Sequence, residues 1–113
     1  MNFSHTFQDD VLIITPEIEN LDTKNATDFK QQVIELISNY ENPKVVFDLH
    51  RLQFVDSSGL GSFLSILKAL NKQGGNLKLS CLNRSTRATL EVVSLHKIFE
   101  IFKQKEEAIS SFK

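Results

Sequence analysis

The chain has 113 residues, is 41% hydrophobic and 24% charged, and carries a formal net charge of −1. That length suits a single domain, residues 1–113, whose core needs neither disulfides nor metals. The mixed charge excludes a basic nucleic-acid surface, the lone Cys81 excludes an internal disulfide, and no segment reaches the roughly 20 apolar residues of a membrane span.

Met1 to Ile14 lacks the basic start and continuous apolar run of a secretory signal, so a reducing, cytoplasmic setting is expected. Within it, Phe3 to Gln8 alternates as a strand does. Asp9-Asp10 is a turn signal, and VLIIT at Val11 to Thr15 is a β-branched run, so the two segments read as a hairpin. Pro16 ends the second strand, having no N–H for a ladder. Asp22 or Thr23 is placed to cap the next helix. Ala26, Phe29, Val33, Leu36, Ile37 and Tyr40 form one stripe on a helix of about four or five turns. Asn42-Pro43 stops it.

KVVFDL, Lys44 to Leu49, is the short apolar run of a strand covered on both faces. A second amphipathic helix ends at Gln73-Gly74-Gly75, a C-cap signal. Asn76 to Leu82 reads as a strand, Ser85 to Ser94 as a short helix, Ile98 to Phe102 as a strand and Gln104 to Phe112 as a helix. Helices between successive strands imply parallel pairing with right-handed crossovers. The expected fold is a small α/β domain with a mixed sheet of four to five strands, an N-terminal antiparallel hairpin and about four helices.

Chemistry concentrates in FVDSSGLGSF, Phe54 to Phe63. It follows the carboxyl end of a predicted parallel strand, where open α/β sheets place their sites. With the helical period counted from Leu60, one face carries Leu60, Phe63, Leu64, Leu67 and Leu70, with Ile66 at its margin. The other carries Gly61, Ser62, Ser65 and Ala69, so a partner backbone or helix could approach it closely. Ser57 or Ser58 could cap the helix through a hydroxyl. Either could also take a phosphate, which carries roughly −1.5 to −2 charges and would sit at the positive helix end. The fold tolerates that dianion, while a protein docked there does not, so modification would switch binding. Asp56 adds negative charge and opposes a second phosphate.

Catalytic readings lack support. The glycine of a G-x-S-x-G elbow is absent before Ser57, and nothing orients His50 or His96 as a base. There is no phosphate-cradling G-x-x-x-x-G-K-[ST] loop, and the histidines have no metal-ligand spacing. Cys81, in LKLSCL, reads as a packed thiol. No cofactor is expected.

The run VVFDLHRLQFVDSSGLGSFLSILKALNKQGGNLKLSCLN resembles the signature region of the STAS domain, as found in bacterial anti-sigma factor antagonists. The matching features are the strand ending in Asp48-Leu49, the Asp56-Ser57-Ser58-Gly59-Leu60-Gly61 turn, the following helix and the Gly74-Gly75 break. Pro16 to Asp22 resembles the family's first loop. The resemblance implies an unphosphorylated antagonist that binds an anti-sigma factor which is also a serine kinase, releasing a sigma factor. Phosphorylation ends the interaction and a PP2C-type serine phosphatase restores it. It places the phosphate on Ser57, matches Ser58 to a neighbouring hydroxyl, and matches Asp22 to an acid near the partner surface. The implied partner-binding set is Asp22, Asp56, Ser57, Ser58, Gly59, Leu60, Gly61, Ser62 and Ser65. A signalling-scaffold or lipid-transport accessory subunit is the alternative within the same fold. Two positions depart from the family pattern and bear on partner identity. Pro16 stands where the first loop usually has a glycine, and Val93-Ser94 stands where Ser-Gly or Thr-Gly is common.

Overall fold

A computed structural model of the protein describes residues 2–113. Strands β1 (Phe3–Gln8) and β2 (Val11–Pro16) form the expected hairpin, with Gln8 opposite Val11. Asp9 and Asp10 both take positive φ, 53° and 65°. That is the handedness a two-residue hairpin loop needs to match strand twist.

The chain continues through β3 (Asn20–Leu21), α1 (Ala26–Ile37), β4 (Lys44–Asp48), β5 (Phe54–Val55) and α2 (Ser57–Lys72). It then runs through β6 (Asn76–Ser80), α3 (Arg84–Val92), a 3-10 turn (Leu95–Lys97), β7 (Ile101–Phe102) and α4 (Lys105–Ser110). The five-stranded sheet has the order β1-β2-β4-β6-β7. Among the described residues of this sheet, β1–β2 is antiparallel and the other pairs are parallel. This is the mixed sheet, N-terminal hairpin and four helices that the sequence predicts.

Alternation along the strands divides the core. Leu12, Ile14, Val45, Phe47, Leu77 and Leu79 face α1 and α2, meeting Phe29, Val33, Phe63 and Ile66. Phe47 lies edge-on to Phe29 at 5.9 Å and to Phe63 at 5.4 Å between ring centroids. Each such fully buried side chain contributes about 1.5–3 kcal/mol of transfer free energy. Val11, Ile13 and Val46 point the other way, onto Ala108 and Ile109 of α4. KVVFD is therefore apolar throughout because helices cover both of its faces. α2 stops where the Gly75 N–H donates to Leu70 O at 2.8 Å, and Gly74 turns the chain with φ 76°.

Several boundaries differ from expectation. α1 has 12 residues, and Tyr40 falls beyond its end, packed against Phe7 at 5.2 Å. Asp22 and Thr23 do not cap α1. The Asp22 carboxylate accepts the Lys24 N–H at 3.0 Å, Thr23 bonds to Asp56, and Asn25 occupies the N-cap position. The last strand is confined to Ile101–Phe102, because Leu95–Lys97 coils into the 3-10 turn first. Finally, β3 pairs in parallel with β5, joining Asn20 to Phe54 and Leu21 to Val55. Two-residue strands carry no readable period, so the sequence does not show this pair.

Candidate functional site

The β3–β5 pair clamps the first loop onto the start of α2. Glu19 O accepts the N–H groups of Gln53 and Phe54, and Leu21 O accepts the Asp56 N–H at 3.2 Å. Gly59 lies over that same carbonyl. A Cβ at Gly59 would come within 2.6 Å of Leu21 O, a distance that forces the backbone apart. The glycine is what lets strand and helix approach this closely.

α2 begins at Ser57, earlier than the apolar period suggests, and its N-cap is Asp56 rather than either serine. The Asp56 backbone is extended (φ −98°, ψ −174°), and its Oδ1 accepts the Gly59 N–H at 3.0 Å. Its Oδ2 takes the Thr23 N–H at 3.3 Å and the Thr23 hydroxyl at 3.4 Å. The Gly59 N–H holds the Asp56 carboxyl below the usual carboxylate range, against a smaller opposing effect of desolvation, with help from Thr23 and Ser58. Hydrogen bonds to the charged form have this effect.

With the cap supplied by Asp56, the serines diverge. Ser57 is the first helical residue and is exposed; its hydroxyl has no partner among the described residues. Ser58 is half-buried, with its Oγ 3.3 Å from Thr23 Oγ1. Ser62, assigned by periodicity to the open face, is buried at 4% exposure, and its hydroxyl donates to Gly59 O at 2.6 Å. The reason is that α1 packs beside α2, so the bare stripe is narrower than the sequence implies. Gly59 and Leu60 are also interior. Of the expected set, Asp22, Asp56, Ser57, Ser58, Gly61 and Ser65 keep some surface. Gly61 is fully open, with nothing within 4 Å of where a Cβ would stand.

Two shallow grooves flank Gly61. One, between α1 and α2, is lined by hydroxyls of Thr23, Thr27, Ser58 and Ser65 and by Lys30. The other is lined by Ser57, Leu60, Leu64, Val93 and Leu95. The sequence offers Thr23 only as a cap. It is instead the residue that ties the first loop to Asp56 and Ser58, and no spacing in the sequence reveals this.

The nucleophile components are not assembled. His50 Nδ1 lies 2.9 Å from Asp48 Oδ1, at the end of β4. Neither His50 nor His96 is hydrogen-bonded to Ser57 or Ser58 among the described residues. Burial pushes the Cys81 thiol up, which makes it a poor nucleophile. Among the described residues, no group of His, Cys, Asp and Glu could hold a metal ion, and no helix is long and apolar enough to cross a membrane.

The family model described as the STAS domain matches residues 2–108. The chain belongs to the STAS domain family. Among its relatives, the anti-sigma F factor antagonist of Paenibacillus polymyxa is 31% identical over 90 residues, covering 80% of this chain and 77% of that protein. Solved STAS structures share the fold. The anti-sigma-factor antagonist (STAS) domain protein from Planctomyces limnophilus superposes with a TM-score of 0.87 at 17% identity, over 98% of this chain and 97% of that one. The anti-sigma factor antagonist SpoIIAA in its unphosphorylated form gives 0.81 at 21% identity, over 97% and 95%. The same determinant from Bacillus in its phosphorylated form gives 0.71 at 19%, over 98% and 99%. The mixed sheet with its antiparallel first pair is thus the STAS arrangement, and the Asp56-to-Gly61 turn sits at the start of its second helix.

Proposed function

We propose that this single STAS domain is a phospho-regulated anti-sigma factor antagonist, acting in the cytoplasm and catalysing nothing itself. Its unphosphorylated form binds an anti-sigma factor that is also a serine kinase, which releases a sigma factor. That kinase phosphorylates Ser57 and ends the interaction; a PP2C-type phosphatase resets it. One observation carries this reading. Asp56 does the capping, so Ser57 stands exposed at the first helical position with its hydroxyl uncommitted. The name of the Paenibacillus relative and the phosphorylated form of SpoIIAA support the same assignment.

The energetics favour a switch of binding rather than of folding. A phosphate on Ser57 projects from the helix start into solvent, where the dipole favours negative charge. The cost falls on a partner pressed against it, which must desolvate a dianion. Ser57→Asp is expected to fold with unchanged circular dichroism and to lose affinity for the anti-sigma factor kinase by at least tenfold. Incubation with ATP and each serine kinase of this type from the source genome should place phosphate on Ser57, as mapped by mass spectrometry. Phosphate found only at remote residues, or full binding by Ser57→Asp, would overturn the proposal.

A further inference from the structure

Three of the large hydrophobic residues that the fold leaves in solvent fall within one short stretch: Val92 at 84% exposure, Val93 at 50% and Ile98 at 53%. They bracket the turn in which Ser94 takes φ 61°, left-handed backbone that a side chain rarely adopts. Val93 lines an open groove of about 200 Å³ that runs along α2, together with Leu60, Leu64 and Leu95. Ser57 forms part of the same lining, and its hydroxyl is the only polar side chain in it among the described residues.

We infer that this groove receives one uncharged, apolar side chain from the anti-sigma factor that docks on Ser57, and that Val93 helps set which anti-sigma factor the chain accepts. The inference rests on the proposed function and extends it to residues outside the serine turn. Size and chemistry select the occupant. Pockets for free small molecules usually hold about 300–1,000 Å³, and this groove is smaller and open. No charged group lines it, so a charged side chain would be desolvated there without a partner. A few side chains seated in well-packed pockets carry most of the binding energy of an interface. The groove is continuous with the modified hydroxyl, so a phosphate on Ser57 would stand at the edge of the anchor's seat. One docking event would then be read twice, by shape at Val93 and by charge at Ser57.

The test uses the full unphosphorylated chain with ATP withheld, so that no phosphate is transferred, and measures its Kd for each recombinant anti-sigma factor kinase of the source genome. Val93→Lys and Val93→Ser are then compared under the same conditions, with thermal denaturation as a folding check. Val93 is half-exposed, so both variants should melt within a few degrees of the parent. Val93→Lys should weaken the tightest pair at least tenfold, and Val93→Ser by a smaller factor. Parent binding that both variants retain within twofold overturns the groove assignment and leaves the proposed function standing. A parent that binds none of the kinases overturns the proposed function and, with it, this inference.

Discussion

The first turn of α2 has two edges built from the same small residues and used in opposite ways. On the inner edge, Gly59 lies against the Leu21 carbonyl and Ser62 folds its hydroxyl back onto Gly59 O. On the outer edge, Ser57 is exposed and Gly61 has open space where a Cβ would stand. Smallness inside lets the chain approach itself. Smallness outside leaves room for another protein. Composition alone does not separate these two purposes; only the position of α1 and β3 does.

The largest test of that contrast is a branched side chain on the inner edge. Gly59→Val places atoms where Leu21 O, a backbone atom held in the β3–β5 pair, already stands. Overpacking of this kind costs about 3 kcal/mol. Ser57→Ala, on the outer edge, should change stability by no more than about 0.5 kcal/mol. Urea denaturation followed by circular dichroism measures both. Equal losses would mean that the two edges do not differ as described.

Asp56 joins the edges, and its effect should be intermediate. Its carboxylate caps α2 and holds Thr23 of the first loop. Asp56→Ala should lower the urea midpoint at neutral pH. The pH dependence has a definite sign. The folded carboxyl is held below its ordinary value, so its stabilisation is fully present above the unfolded pKa. It is lost as pH falls through the folded one. The gap between parent and Asp56→Ala should therefore narrow below about pH 4 and stay constant from there to neutrality. A gap that is unchanged at acid pH would mean the charge plays no part in the cap.

The sequence revealed long periodic elements and concealed short ones. VLIIT, KVVFD and the stripes of α1 and α2 bury enough apolar surface to impose a readable pattern, so sheet, hairpin and helices were legible. The start of α2 was not, because the apolar period begins at Leu60 while the backbone is already helical at Ser57. Asp is as good an N-cap as Ser, and the Asp56 cap would have followed from testing each polar residue ahead of that period. Ser62 is buried against its helical period for a different reason. A helical wheel gives angles but does not say how wide the buried arc is, and contact with α1 widens it. The β3–β5 pair and the role of Thr23 rest on contacts between distant segments, and no local pattern encodes them.

The smallest effect is the most discriminating. Gly61 sits inside α2 with open space where a Cβ would go. Gly61→Ala therefore removes a helix-interior glycine at no steric cost, and should stabilise the fold by about 0.5–1 kcal/mol. A glycine kept where alanine would be more stable needs a reason outside the folded chain. If that reason is a partner's close approach, Gly61→Ala should bind the anti-sigma factor kinase more weakly while unfolding at higher urea. Stability and affinity would then move in opposite directions at one atom. A stabilised variant with undiminished affinity would shift the contact surface off this helix edge and onto the grooves beside it.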